Sequence, residues 1–400
     1  MIAIIRLIFA IILFLESLLT VFPAPSYFLW EASIAADEWG HYLAIVGFFV
    51  LLPGWRTPIA KASSLLAVVS ILLFLSPLVR ARTVARGLPD RLTLAFGRPE
   101  PRSLPGAAPR GKPISFETLF RKPPSPEVRR TTFTYVVRDG RPLQLDVYRR
   151  DRPLPSAPLV IAIHGGSWRT GDRTDLPELN YYLASRGYVV ASPSYRFAPE
   201  FPHPAASDDI DAAISYLKAN SSQLGIDSTR IVLLGRSAGG QLALLAAYTR
   251  NDSSIKGVVS FYGPTDQKWG WDNPADPRVY NSTETIREFL HGDPALVPEA
   301  FRTSSPLNFV RADSPPTLMI HGTMDPLVSV RQSARLDSAL FAVHYPRGLE
   351  LGASTVVVIP HPWLFIELPW ATHGCDYVFN GPCGQISTYA IERFVAAVTK

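Results

Sequence analysis

The serine at position 237 lies in a sequence pattern that favours nucleophilic chemistry. Residues 235–239 have the sequence GRSAG, with an apolar run before them and a longer apolar run after them, which predicts a strand followed by a helix. In so tight a strand-to-helix turn the glycines let the backbone close, while the serine hydroxyl points outward at the N-terminus of the helix. The context therefore predicts a nucleophile elbow, in which Ser237 attacks a carbonyl carbon.

A serine hydroxyl is barely ionised at neutral pH, so it needs a base and a carboxylate that orients the base. Asp325 follows the strand that we predict for residues 317–320, and His373 follows the strand that we predict for residues 363–368. The chain order Ser237, Asp325, His373 is the order expected for an elbow of this kind. These three residues are the predicted catalytic triad.

Two further histidines, His344 and His361, also follow Asp325 and stay open as alternative bases. His344 follows a predicted helix, and His361 precedes the apolar run that we take as the last strand. Residues 355–359 form another apolar run that competes for this assignment. We prefer His373 as the base because the run at 363–368 leads directly into its loop.

A glycine-rich loop lies upstream of the elbow. Residues 164–168 (HGGSW) follow a continuous apolar run, and such a loop can aim backbone N–H groups at a developing oxyanion. The expected hydrogen-bond donors are the backbone N–H groups of Gly165, Gly166, Ser167 and Ala238. Within the loop we favour Gly166 and Ser167, with Gly165 as the alternative, and we expect His164 to shape the loop.

The elements that must position these residues follow from the pattern of residues 131–400. Strands alternate with helices there, which predicts an α/β fold with a mostly parallel sheet and helices on both faces. Residues 264–310 interrupt the alternation with prolines and tryptophans, so we expect a cap inserted over the sheet. Trp269 and Trp271 in this cap are candidate substrate-binding residues, because large aromatic side chains suit an acyl or aryl pocket.

Residues 1–80 contain four Lys or Arg and four Asp or Glu, so this fifth of the chain is nearly uncharged. Residues 1–22 and 62–79 are each long and apolar enough for a membrane span, whereas residues 39–55 are apolar but short. We expect a membrane region with two or three transmembrane helices; a cleaved signal peptide at 1–22 is the alternative. The arginines that follow the last span slightly favour the cytoplasmic side for the rest of the chain.

Residues 81–130 carry eleven Lys or Arg against four Asp or Glu and are rich in proline, which predicts a basic, extended linker. The net charge of +5 does not indicate a nucleic-acid partner, because residues 131–400 carry 24 Lys or Arg against 26 Asp or Glu. We expect the linker to contact anionic lipid headgroups instead. Since every predicted strand lies beyond it, we also expect a chain cut after Pro126 to stay folded and active.

The chain has two cysteines, Cys375 and Cys383, which excludes a disulfide scaffold and a four-cysteine zinc site. They permit one disulfide, which we expect only if the domain is exported. We predict no metal site.

The motifs at 164–168 and 235–240 and the pair His373-Gly374 together resemble those of the α/β-hydrolase superfamily. The most similar branch is that of the HGG-type esterases, which includes arylformamidase-like, feruloyl-esterase-like and isoprenylcysteine-methylesterase-like enzymes. The resemblance covers residues 131–400. It implies an α/β-hydrolase fold, a triad of Ser237, Asp325 and His373, and no metal or organic cofactor.

We therefore predict a membrane-anchored serine hydrolase that cleaves carboxylic esters through an acyl-enzyme. Its substrate would be a small-molecule or lipid ester. The alternatives are an acyltransferase, an amidase or peptidase on the same fold, and a catalytically silent binding or scaffold protein. A silent protein is expected to lack a triad residue, and none is missing from this sequence.

Overall fold

One mixed sheet carries the candidate site. The computed structural model describes residues 2–52, 55–98, 110–121, 127–151, 156–345 and 361–400. The strands in these ranges are β1 (Val128–Arg138), β2 (Arg141–Arg150), β3 (Ala157–Ile163), β4 (Val189–Pro193), β5 (Ile226–Arg236), β6 (Ile255–Phe261), β7 (Thr317–Gly322) and β8 (Trp363–Leu368). Linker residues 99–109 and 122–126 and the apolar run 355–359 lie outside the described residues.

The strand order across the sheet is β1-β2-β4-β3-β5-β6-β7-β8. The pairs β1–β2 and β2–β4 are antiparallel, and the pairs from β4 to β8 are parallel. Parallel strands end at one edge of the sheet, so the loops after β3, β5, β7 and β8 all open on the same edge. The predicted catalytic residues follow these four strands.

The described helices are numbered in chain order. They are α1 (Ile2–Ser17), α2 (Tyr27–Glu38), α3 (Gly40–Leu51), α4 (Pro58–Phe96), α5 (Phe116–Phe120), α6 (Pro177–Ser185), α7 (Ala205–Ala219), α8 (Ser221–Leu224), α9 (Ala238–Thr249), α10 (Gln267–Asp272), α11 (Ser282–Leu290), α12 (Pro298–Thr303), α13 (Arg331–His344) and α14 (Pro382–Val398). The cap predicted at residues 264–310 contains α10, α11 and α12.

Helices cover both faces of the sheet. α7, α9 and α13 bury apolar side chains against one face, and α6, α14 and the C-terminal end of α4 bury theirs against the other. α7 shows the sequence reason, because its buried residues Ile210, Ala213, Ile214 and Leu217 recur every three or four positions. β3 is buried along its whole length, as expected for a central strand covered on both faces.

The N-terminal helices form a separate apolar bundle. α1 and α4 are long and apolar enough to cross a membrane, and α2 with α3 makes a third candidate span that is bent by 85° at its break. Large apolar side chains on the outside of α1 and α3 are exposed, including Ile5 at 59% and Phe49 at 62%. Such surfaces are typical of lipid contact.

The linker predicted to begin at residue 81 is wrong for residues 81–96. These residues continue α4, and Ala81, Leu88, Leu92 and Ala95 are buried in the same cluster as the sheet. The guanidinium of Arg91 also donates a 2.7 Å hydrogen bond to the carbonyl of Phe365 in β8. The structure therefore argues against the expectation that a chain cut after Pro126 stays folded, because the cut removes a packed helix.

Candidate active site

Ser237 lies on the turn between β5 and α9, with φ 52° and ψ −120°. A non-glycine residue in this left-handed region is strained, so the surrounding structure must hold it there. Its backbone N–H donates to the carbonyl of Phe261 at 2.9 Å. Gly239 allows the turn to close, because a Cβ atom on it would lie 2.3 Å from the carbonyl oxygens of Ile163 and His164. This strand, strained serine and helix form the predicted elbow geometry.

Asp325 and His373 are joined by a hydrogen bond of 2.7 Å between Nδ1 of the histidine and Oδ2 of the carboxylate. The other carboxylate oxygen accepts the backbone N–H groups of Leu327 and Val328, each at 2.9 Å. The Asp325 side chain is fully buried and His373 is 5% exposed. These contacts fix the imidazole so that its other nitrogen, Nε2, is the one left for proton transfer.

The charge of Asp325 is set by its two histidine neighbours. Burial by itself would raise its pKa, but the imidazoles of His373 and His321 and their hydrogen bonds hold the pKa of this carboxyl well below its usual range. His321 Nε2 lies 3.2 Å from Asp325 Oδ2 and 2.9 Å from the carbonyl of Val328. Asp325 is therefore an anion at neutral pH, as an orienting carboxylate must be.

One cavity of about 250 Å³ brings the three predicted triad residues together: Ser237, Asp325 and His373 all line it. The two alternative bases lie elsewhere. His344 and His361 pack around Trp363, with ring centroids 4.9 and 4.3 Å from that of the tryptophan. Trp363 begins β8, so both histidines are at the opposite end of this strand from His373.

Ser167 and Ala238, two of the four predicted oxyanion donors, also line the cavity, and among the described residues neither Gly165 nor Gly166 does. Ala238 is the first residue of α9, so its N–H has no acceptor within the helix. Gly166 has φ 112°, and a Cβ atom there would lie 2.0 Å from the carbonyl oxygen of Thr170. This position thus requires glycine for the tight turn of the loop.

The loop that contains these donors is held from two sides. His164 stacks on Tyr195 with ring centroids 4.3 Å apart, and its Nδ1 lies 2.7 Å from the carbonyl oxygen of Gly165. Burial lowers the pKa of His164, which favours the neutral, structural imidazole. From the cap, the hydroxyl of Tyr280 donates to Oγ of Ser167 at 2.7 Å. Sequence reasoning missed Tyr280, which lies in the cap and also lines the cavity.

The two candidate substrate-binding tryptophans have different surroundings in the structure. Trp269 lines the cavity, with the guanidinium of Arg335 5.7 Å from its ring. Trp271 is not among the described residues that line it and instead packs edge-on against Phe301 at 5.6 Å, with Arg287 over its ring. The geometry therefore assigns Trp269 to the site and Trp271 to the packing of the cap.

A buried network that the sequence did not predict links the elbow to the histidine loop. Arg236, the residue before the nucleophile, forms an ion pair with Asp376, and the hydroxyl of Tyr262 donates to the same carboxylate. The ring of Tyr262 also lies 4.3 Å from that of His373. In addition, Cys375 and Cys383 form a disulfide in this loop. These contacts stabilise the loop that carries the predicted base, His373.

The N-terminal helices also reach the histidine loop. The indole N–H of Trp30 in α2 donates to the backbone carbonyl of His373 at 3.0 Å. Further along α2, Oε2 of Glu38 accepts the backbone N–H of Cys383 at 2.9 Å. The sequence carried no local signal for these contacts. The candidate site is thus built from both the sheet and the N-terminal bundle.

Within the described ranges, no group of three or more His, Cys, Asp or Glu side chains is placed to hold a metal ion. The chemistry that the described residues offer is nucleophilic attack by a serine, with a histidine and carboxylate pair and backbone donors beside it.

Comparison with known proteins shows which proteins this chain resembles. Residues 145–340 match the BD-FAE family model. The chain is 31% identical to esterase LipC of Mycobacterium tuberculosis over 273 residues, which cover 64% of this chain and 62% of the relative. It is 28% identical to the probable carboxylic ester hydrolase LipM of the same organism, over 65% of this chain and 59% of the relative.

Solved structures show the same fold. A bacterial heroin esterase superposes with a TM-score of 0.56 at 20% identity, over 71% of this chain and 89% of that chain. An esterase from Pyrobaculum calidifontis superposes with a TM-score of 0.54 at 23% identity, over 68% of this chain and 85% of that chain. The sheet and its covering helices therefore have the α/β-hydrolase fold, and the predicted similarity to esterases of the HGG type is confirmed. The chain spans 62% and 59% of the length of the two curated relatives.

Proposed function

We propose that this protein is a membrane-anchored serine hydrolase of carboxylic esters. The observation that carries the proposal is the convergence of Ser237 on its strained turn with the Asp325–His373 pair in one cavity. The similarity to proteins named esterase and carboxylic ester hydrolase supports the same reaction.

The proposed reaction has two steps, acylation of the serine and hydrolysis of the acyl-enzyme. Ser237 Oγ attacks the ester carbonyl while Nε2 of His373 takes its proton, and His373 then gives this proton to the leaving alcohol as the acyl–oxygen bond breaks. Asp325 holds the imidazole and stabilises its charged form. Water, deprotonated by His373, then attacks the acyl carbon; the bond to Ser237 Oγ breaks, the acid is released, and His373 returns the proton to the serine. Charge on the carbonyl oxygen is stabilised by the backbone N–H groups of Ala238 and Ser167, the two predicted donors that line the cavity.

Membrane anchoring is supported by the two long apolar helices and by the bent pair that makes a third candidate span. The arginines that follow the span in α4 favour the cytoplasmic side for the catalytic domain. The disulfide between Cys375 and Cys383 is typical of an oxidising compartment instead. The redox state of these cysteines in the native protein distinguishes the two sides.

Labelling of the detergent-solubilised full chain with a fluorophosphonate tests the function, together with turnover of p-nitrophenyl esters of increasing acyl length. We expect both labelling and turnover, and we expect Ser237→Ala to lose both. Ser215→Ala removes an exposed hydroxyl on α7 and is the matched control, which should retain both. Labelling without ester turnover would indicate acyl transfer to another acceptor, and loss of neither in Ser237→Ala would reject the proposal.

A further inference from the structure

α2 lies between the apolar bundle and the catalytic face. It is turned by 85° from α3, so it runs across the direction of that candidate span. Its first backbone N–H, that of Tyr27, donates to the carbonyl of Arg278 in the cap at 3.3 Å. One turn later the indole of Trp30 donates to the carbonyl of His373. A helix that lies across the neighbouring candidate span and contacts both the cap and the loop of His373 has the position of an interfacial helix.

Arg80 marks where the apolar part of the bundle ends. From Pro58 to Arg80, α4 rises about 33 Å at 1.5 Å per residue, which matches a hydrocarbon core of about 30 Å. The guanidinium of Arg80 donates to the carbonyl of Thr20, which ends the apolar stretch of α1, at 2.5 Å. It also donates to the carbonyl of Pro369 at 3.1 Å. Since Pro369 lies four residues before His373, the edge of the apolar bundle and the catalytic loop are at the same level.

The catalytic cavity and the bundle share a wall. Leu327, which lines the cavity two residues after Asp325, packs against the buried cluster of the N-terminal helices. Val279 of the cap belongs to the same cluster. At the start of α2, Tyr27 and Phe28 are 51% and 75% exposed. Exposed aromatic side chains at this level are typical of the bilayer interface.

We propose that the substrate is an ester of a membrane lipid, taken directly from the bilayer interface, and this rests on the esterase function proposed above. The ester bonds of glycerolipids lie between the headgroups and the acyl chains, which is the level of His373 in this arrangement. A cavity of about 250 Å³ is below the usual 300–1,000 Å³ of sites that enclose a drug-sized ligand. The rest of a long acyl chain therefore stays outside the cavity, beside α2 and in the bilayer.

The chemistry of the step is that of the proposed esterase. The bond between the acyl carbon and the lipid oxygen breaks, Ser237 takes the acyl group, and the released lipid alcohol receives the serine proton from His373. Water then converts the acyl-enzyme to a fatty acid. The leaving alcohol and the acid are both amphipathic and return to the interface.

The test uses the full chain reconstituted in phosphatidylcholine vesicles that contain dioleoylglycerol, with water-soluble p-nitrophenyl butyrate as the second substrate. The dioleoylglycerol is expected to be hydrolysed at a rate that follows its mole fraction in the bilayer and not its bulk concentration. Phe28→Ser should lower this rate at least fivefold and lower butyrate hydrolysis less than twofold. Phe341→Ser, which changes an exposed phenylalanine on α13, is the matched control and should change neither rate.

The outcomes separate the two proposals. Turnover of butyrate by the vesicle-bound enzyme without release of oleate at any mole fraction would overturn the lipid substrate and leave the esterase function in place. An equal effect of Phe28→Ser on both substrates would also overturn it. Turnover of neither substrate, together with no fluorophosphonate labelling of Ser237, would overturn the esterase function itself.

Discussion

The C-terminal end of α4 should contribute measurably to the stability of the catalytic domain, and Leu92→Ala tests this contribution. Leu92 is 3% exposed and lies in the same buried cluster as Leu364 and Ile366 of β8. Replacing a buried leucine with alanine costs about 2–5 kcal/mol, because apolar contacts are lost and a cavity is left. For a domain of this size, that loss corresponds to a fall in Tm of roughly 5–15 °C.

Leu94→Ala is the matched control, because Leu94 lies on the same helix but is 39% exposed. Exposed substitutions of this kind change stability by about 0.5 kcal/mol or less, so its Tm should stay within about 2 °C of the wild type. Thermal unfolding of both variants in the same detergent, followed by tryptophan fluorescence and by residual esterase activity, measures the difference. Equal Tm values for Leu92→Ala and the wild type would refute the packing of α4 on the sheet.

Three further predictions concern the site. Asp325→Asn should lower kcat on the order of 10⁴-fold, because the imidazole loses its orienting anion; a tenfold loss or less in folded protein, measured at substrate saturation, would contradict this role. Trp269→Ala should change which acyl length is preferred among p-nitrophenyl esters. Trp271→Ala should lower Tm and keep the wild-type order of preference among these esters. The opposite pattern would mean that Trp271 contacts the substrate and Trp269 packs the cap. Alkylation of the protein unfolded in denaturant, followed by mass spectrometry, should find Cys375 and Cys383 unmodified unless a reductant is added first, because both are buried in the fold and must be exposed to the reagent; two free thiols would reject the disulfide and favour the cytoplasmic side.

The position of the predicted catalytic residues could be inferred from the sequence because each follows the carboxyl end of a strand. Ser237, Asp325 and His373 come one, three and five residues after a parallel strand, so local patterns sufficed to place them at one edge of the sheet. The oxyanion loop followed from the same reasoning. Local patterns could not show which cap tryptophan reaches the cavity, since this depends on how the cap packs.

The extent of α4 was predictable in principle. Its buried residues after the candidate membrane span, Ala81, Ala85, Leu88, Leu92 and Ala95, are spaced four, three, four and three positions apart, which is the spacing of one helix face. The three arginines and the one proline between them, together with the proline-rich stretch that follows, favoured the interpretation as an extended linker. Packing against the sheet stabilises this segment as a helix in spite of that composition.

Contacts across long separations had no signal in the sequence. Trp30 and His373 are 343 residues apart, and Arg236 and Asp376 are 140 residues apart. Each pair comes into contact because two distant elements pack against each other. Such packing leaves no local pattern in a single sequence. These contacts link the N-terminal bundle and the elbow to His373. The sequence therefore predicted the residues of the candidate site, and the structure added the contacts that hold them.

The identity of the nucleophile is the central claim, and its most direct test is tandem mass spectrometry of the full chain after reaction with a fluorophosphonate. We predict one stoichiometric adduct, located on Ser237, that appears at the same rate as ester hydrolysis is lost. The Ser237→Ala protein should keep its fold, form no adduct and lose hydrolysis on the order of 10⁴-fold or more. An adduct on another residue, or a Ser237→Ala protein that retains a tenth of the wild-type turnover, would contradict the proposed mechanism.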